Sequence, residues 1–200
     1  SASVSVSGDN AFYNLSVTGI GAAKTITFAN GSRTTVANAL TFNGASGQVV
    51  TLQSQTGGTA WYWNMNGLSQ TIHYVSVRDS YACDGTYHIQ AYDGTNTNVS
   101  NNQCWDFSSI TLSGASNASN GRSVAAAIKP SRQQQTGSVN NSAWTVTIGT
   151  PSAGDTITVW LDDVVTGSES TAITRYVSGN ITGMVLDANV LSVGGSGSPS

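Results

Sequence analysis

The sequence predicts an all-β protein. Residues 10–107 read as a parallel β-helix (solenoid) of about four coils, residues 108–200 as an immunoglobulin-like β-sandwich with a Gly/Ser tail, and residues 1–9 as a separate leading strand. Three observations carry this. No apolar i, i+3, i+4, i+7 stripe runs beyond two turns, and the best helix candidate, "SVAAAIK", is short. Between residues 12 and 107 short apolar alternations fall into two series, Leu15, Leu40, Trp63, Ile89 and Ile26, Val50, Val75, Trp105, each advancing by roughly 24 to 30 residues as stacked coils do. Past Phe107 the texture changes to about seven short strands in about ninety residues, the count and spacing of a sandwich.

The leading segment "SASVSVSGDN" sets serines at 1, 3, 5 and 7 around Ala2, Val4 and Val6, a strand with one polar and one small apolar face. It either caps its own first coil or fills an open edge on a neighbouring copy, where main-chain bonds give affinity and alternate side chains give register. Both readings stand from sequence. The following strands, at Leu15/Val17, Ile26/Phe28, Leu40/Phe42, Val50/Leu52, Trp61/Trp63/Met65, Val75/Val77, Ile89/Ala91 and Trp105/Phe107, are separated by "TGIGAAK", "ANGSRTT", "NGASGQ", "SQTGGTA", "NMNGLSQ" and "YDGTNTNVSNN". These clusters are rich in the Gly, Asn and Asp that tolerate positive φ. An antiparallel sandwich fits the same spacing; recurrence of type in register, "LSVTG" and "LTFNG" about 25 positions apart, favours the solenoid.

Cys83 and Cys104 are the only cysteines and lie about one coil apart. Paired, they close a loop of about twenty residues and stabilise by roughly 3 kcal/mol; the alternative is two buried free thiols. The stretch "FYNLSVTGIGAAKTITFANGSRTTVANALTFNG", with "VSVRDSYACDG" and "NNQCWDF", resembles the short right-handed parallel β-helix segments of large repetitive secreted and surface proteins of microbes, over roughly residues 10 to 107. Such segments often close on an Asn-Asn-X-Gly-Trp-X-Phe-like run. Cys104 stands where Gly is more usual, a departure that fits a disulfide locking the final coil.

In the second half the strand candidates are 110–113, 123–129, 144–149, 156–161, 171–177, 181–186 and 189–193, with "KPSRQQQTGSVNNS", "GTPSAGD" and "DDVVTGSES" between them. "WTVTIGTPSAGDTITVWLDD" resembles the Ig-like repeat modules of bacterial and archaeal surface proteins. The expected core is Val124, Ala126, Ile128, Trp144, Val146, Ile157, Val159, Ile173 and Leu186. The tail "SVGGSGSPS" is disordered unless something holds it.

Composition narrows the function. Charged residues are 8% of the chain, with one Glu, against roughly 25% in an ordinary soluble domain, which points to an extracellular, secreted or surface protein. A start at Ser-Ala suggests a processed amino terminus. No apolar run approaches the roughly 18 residues of a membrane span, and the seven Lys and Arg never cluster, so neither membrane insertion nor nucleic acid is expected. The six Asn-X-Ser/Thr matches are near the number chance supplies.

Catalytic chemistry is not expected. Asp79, Asp84, Asp93 and Asp106 could meet on stacked coils as glycosidase or polysaccharide-lyase carboxylates, but all sit beside turns, where Asp bonds nearby backbone. His73 and His88 have no nucleophile motif with them. Asp162 and Asp163 fall short of the oxygens calcium wants, and neither metal nor cofactor is expected. One surface suggests binding: with Trp61, Trp63, Met65, Ile89 and Ala91 inward, Tyr62, Asn64, His88, Gln90 and Tyr92 point outward on neighbouring coils of one sheet, rings beside amides as on a glycan-binding face. Ordinary cross-strand pairing is the alternative. The function expected is a self-assembling structural subunit of a filament or surface layer, built through the edge offered by Ala2, Val4 and Val6; the alternatives are a surface adhesin or glycan-binding module and a polysaccharide-degrading fragment.

Overall fold

The computed structural model describes residues 2–19, 21–129, 133–162 and 169–194, and the regular elements there are all strands. Asp163, the tail beyond Gly194 and the side chain of Ala2 lie outside the described residues. The chain divides into two compact units, Ser1–Ser108 and Ser109–Ser200.

The first unit contains β1 (Ala2–Val6), β2 (Asn10–Thr18), β3 (Lys24–Phe28), β4 (Arg33–Asn43), β5 (Val50–Ser54), β6 (Trp61–Met65), β7 (Ser69–His73), β8 (Val75–Arg78), β9 (Ser80–Tyr81), β10 (Ile89–Gln90), β11 (Thr97–Ser100) and β12 (Trp105–Asp106). Every strand pairing among them is parallel. One sheet runs β1-β3-β5-β8-β11; a second runs β2-β4-β6-β9 with β7 also on β4; β10 and β12 form a separate ladder. In the first sheet Val4, Ile26, Leu52 and Val77 stand in line, one residue per rung. Parallel neighbours need a full turn of chain between them, which is why the apolar pattern repeats at long intervals.

Two rungs are ones the apolar series imply, Leu15–Leu40 and Val50–Val75, and the others are not. Leu15 does face Leu40, but Leu40 faces Gln70, Trp63 faces Thr34, and Ile89 faces Trp105 of the other series. The reason lies in β4. Phe12 faces Val36 while Asn14 faces Ala39, so Ala37 and Asn38 together oppose Tyr13. This extra residue bends the strand. Its first part then pairs with β6 and its second with β7. Gly67, between those two strands, passes so close to the bend that a Cβ there would lie 1.7 Å from the Asn38 carbonyl oxygen. The first sheet has five rungs where about four coils are expected, because β1 adds to β3 within its own chain.

Alternation along each rung turns a small set of large side chains inward. Trp61, Trp63, Met65, Phe42, Leu40, Leu52 and Ile89 are fully buried, and Phe28 stacks on Trp61 with ring centroids 3.8 Å apart. Each contributes roughly 1.5–3 kcal/mol by leaving water. The corners are tied by asparagine. Asn38 Nδ2 donates to Asn14 Oδ1 (2.9 Å), Ser54 Oγ to Asn30 Oδ1 (3.0 Å), Asn96 Nδ2 to the Ile72 carbonyl (2.7 Å) and Asn102 Nδ2 to the Val77 carbonyl (2.8 Å). These partners are 24 or 25 residues apart, so the corner amides keep the same period as the rungs.

The second unit contains β13 (Ser109–Ser116), β14 (Ser123–Lys129), β15 (Gln133–Asn140), β16 (Ala143–Gly149), β17 (Thr156–Leu161), β18 (Ser170–Arg175), β19 (Ile181–Leu186) and β20 (Val190–Val193). Hydrogen bonds join all eight into one sheet, ordered β19-β13-β16-β15-β14-β17-β18-β20, instead of the two sheets an immunoglobulin-like sandwich requires. The cause is β15, which falls where a loop is expected. Its Gln, Thr, Gly and Ser give no apolar alternation, yet it pairs antiparallel with both β14 and β16 and so bridges two groups of strands that would otherwise stand apart. The expected core is buried with one shift of phase: on β18 Ala172 turns inward and Ile173 is half-buried.

Candidate functional site

The two ends of the first unit hold most of its distinctive chemistry. At the first rung, β1 and β2 are the outermost strands of their sheets and, among the described residues, each leaves one edge unpaired. The Ala29 amide donates to the Val6 carbonyl (2.8 Å), so the Val6 peptide group faces β3. Alternation along a strand then turns the peptide groups of Ser3 and Ser5 to the open edge. Neither β1 nor β2 contains proline or a charged residue, the usual devices that keep an edge from pairing with another chain. Behind the edge, Val4, Val6, Phe12, Leu15, Val17 and Ile26 line an apolar mouth of about 440 Å³. Val6, Leu15 and Val17 pack on the core, whereas Val4 is 55% exposed and Phe12 and Tyr13 are also open to solvent.

The last rungs are finished by polar and covalent contacts. Cys83 and Cys104 form a disulfide with Cα atoms 5.1 Å apart. Cys104 has φ 57°, in the left-handed region that glycine adopts without the Cβ penalty a cysteine meets there. The four aspartates that raised the question of catalysis are each engaged. Buried Asp79 accepts from Asn101 Nδ2 (2.8 Å), Asp84 pairs with Arg33 Nη1 (2.5 Å) and Asp106 with His88 Nδ1 (3.2 Å). Asp93 takes His73 Nδ1, Thr95 Oγ1 (2.6 Å) and Asn96 Nδ2 (2.7 Å). Slight burial pushes the Asp93 carboxyl up, but the hydrogen bonds from Thr95 and His73 outweigh it and hold it below the usual carboxylate range. Asp162 is an exposed residue whose amide donates to the Ser123 carbonyl. Among the described residues no three His, Cys, Asp or Glu side chains cluster as metal ligands.

The residues expected to form one outward face form two. Tyr62 and Asn64 on β6 belong with Arg33 and Tyr81: the guanidinium lies over the Tyr62 ring, 5.2 Å from its centroid, Arg33 Nη1 donates to Asn64 Oδ1 (2.9 Å), and the Tyr62 and Tyr81 rings are 5.5 Å apart. His88, Gln90 and Tyr92 belong with Gln70 and Asp106. Gln70 Nε2 donates to the His88 carbonyl (2.9 Å), and the Gln90 amide donates to Gln70 Oε1 (3.0 Å). Burial, with the Asp106 charge nearby, pushes the Tyr92 hydroxyl up to about 12. The two groups are separate because β6 pairs with β9 while β10 pairs with β12. Arg33 on β4, Tyr81 on β9 and Gln70 on β7, all absent from the expected face, are brought beside these residues by the pairing of the rungs.

Comparison with family models, with curated protein sequences and with solved structures returns no match to this chain.

Proposed function

We propose that this chain is an extracellular structural subunit that assembles with copies of itself into a filament or surface layer by β-strand addition. On this reading the parallel rungs of the first unit are a short β-helix, and its first coil is the docking end. The observation that carries the proposal is the first rung: an undefended strand edge directly over an apolar mouth. An incoming strand would satisfy the Ser3 and Ser5 peptide groups and cover Val4 and Phe12 in one step, whereas stacked repeats that end in water are finished by a polar cap. The single disulfide suits an oxidising compartment, and the low share of charged residues, 8% of the chain, supports the same location. The test is Ser3→Pro with Ser5→Pro, which blocks the open edge and leaves the bonds to β3 in place. Electron microscopy of the unmodified protein is expected to show long uniform fibres and of the variant dispersed particles with an unchanged melting curve. Dispersed particles from the unmodified protein, or fibres from the variant, would overturn the proposal.

A second reading, a glycan-binding surface module, is favoured by the adjacent Tyr62 and Tyr81 rings beside Arg33 and Asn64. Sugar C–H faces stack on such rings while hydroxyls take the polar groups. Glycan-array binding that Tyr62→Ala abolishes is the expected result; silence across the array would remove this reading.

A further inference from the structure

Of the strand edges whose large apolar side chains the described chain leaves uncovered, β2 with Phe12 and Tyr13 among them, two carry the argument. One is β1, with Val4 over the mouth. The other is β20, the last strand of the second unit's sheet. There the Gly194 amide donates to the Ile173 carbonyl (2.9 Å) and Ser170 Oγ to the Val190 carbonyl (3.2 Å), which turns these even-numbered peptide groups toward β18. The peptide groups of Leu191 and Val193 therefore face the open edge, and their side chains share one face, 66% and 74% exposed. The other outermost strands fit less well. On β11 Val99 is the one large apolar residue among Thr97, Asn98 and Ser100, and β19 is interrupted by Gly183 at φ 77° with a shift of register.

Resting on the assembly reading above, we infer that β20 of one copy adds to the open edge of β1 in the next, parallel to it, with Leu191 and Val193 over the mouth lined by Val4, Phe12 and Leu15. Charge sets the direction. Lys24 stands opposite Ala2 at the beginning of β1 and lines the mouth. Glu169, whose carbonyl accepts the Asn189 amide, and Asp187 stand at the beginning of β20. Among the described residues none of these three charges has an ion pair. Parallel docking brings the two acids to the Lys24 end; antiparallel docking carries them to the far end of a five-residue strand, roughly 16 Å away at 3.3 Å per residue and beyond a Debye length of roughly 8–10 Å. Parallel addition also continues the hydrogen-bond pattern of the sheet that β1 begins. Because β1 and β20 are different surfaces, the contact is head-to-tail and leaves a free β1 and a free β20 at the two ends of every oligomer that does not close into a ring.

The test mixes Val4→Cys protein with Leu191→Cys protein, and separately with Val193→Cys to cover a shift along one face, then oxidises mildly and maps the bridged peptides by mass spectrometry. A Val4→Cys to Leu191→Cys or Val193→Cys bridge is expected. Lys24→Glu is expected to raise the concentration needed for fibres roughly tenfold at low salt, and adding Glu169→Lys with Asp187→Lys to restore it. Bridges between two Val4→Cys copies alone would mean that two mouths meet face to face and would overturn the inference while leaving assembly standing. Fibres without either mixed bridge would overturn it too. Absence of fibres from the unmodified chain would overturn both this inference and the assembly reading.

Discussion

The first and last rungs of the parallel unit are made from the same strand geometry and finished in different ways. At the last rungs, side chains close the structure: a disulfide joins Cys83 to Cys104, Asn102 reaches the Val77 carbonyl, and His–Asp pairs at His73–Asp93 and His88–Asp106 clasp neighbouring turns. At the first rung, β2 is tied to β4 by its ladder and by the Asn14–Asn38 bond, whereas β1 has its backbone ladder and the packing of Val6. β1 is held through its ladder with β3, and apart from Val6 its described side chains are exposed. A rung inside the stack is satisfied from both sides, so an end rung needs either a clasp of its own or a neighbour. The last rungs have the clasp, and the first has the open edge that a neighbour would fill.

The largest effect on this contrast comes from removing the covalent clasp. Cys83→Ala with Cys104→Ala is expected to cost about 3 kcal/mol, the chain-entropy value for a loop of this size. In thermal unfolding that lowers the melting temperature of the first unit by more than about 10 °C. Replacing Cys104 by Gly instead, in the same Cys83→Ala background, is expected to return roughly 1 kcal/mol, because the left-handed φ of 57° disfavours any residue with a Cβ. A Gly variant no more stable than the Ala variant would show that this corner relaxes once the bridge is gone. Blocking the first rung with Ser3→Pro and Ser5→Pro should move the melt by less than about 0.5 kcal/mol, as surface changes do.

The same contrast explains what is legible in the sequence. Strands that bury a face announce themselves by alternation: Trp61, Trp63 and Met65 inward on β6, or Ile157, Val159 and Leu161 on β17. Strands that serve as polar end rungs or as bridges do not. β11 is exposed throughout, β9 is two residues long, and β15 turns Val139 to the core while the rest of its described side chains are polar or glycine. Missing β15 hides the link that joins the strands of the second unit into one hydrogen-bonded sheet, and missing β7 and β9 hides Gln70 and Tyr81, the partners of the His88 and Tyr62 groups. A further signal lies in the chain without any apolar residue. Asn14 and Asn38 are 24 positions apart and bonded to each other, so the spacing of turn asparagines carries the rung period as well as the hydrophobic pattern does. The open edge at Ala2–Val6 is legible as a strand, but its partner β3 is not, because a strand with one small apolar face pairs equally well in cis or in trans.

The smallest effect tests the non-covalent clasp and depends on pH. Asp93 holds its proton less tightly in the folded chain than an ordinary carboxyl, since the bonds from Thr95 and His73 favour the anion by more than slight burial disfavours it. A group with a depressed folded pKa adds stability that is fully present above the unfolded pKa of about 4 and is lost as pH falls through the lower folded value. The carboxylate is partly open to water at the surface, so screening keeps the contribution below about 1 kcal/mol. Asp93→Asn should therefore destabilise modestly at pH 7 in denaturant unfolding, and the gap between variant and unmodified protein should close as pH is lowered through the acid range. A gap that stays constant down to low pH would mean that Asp93 acts as a neutral hydrogen-bond acceptor. The last turn would then owe its closure to the disulfide and the asparagines alone.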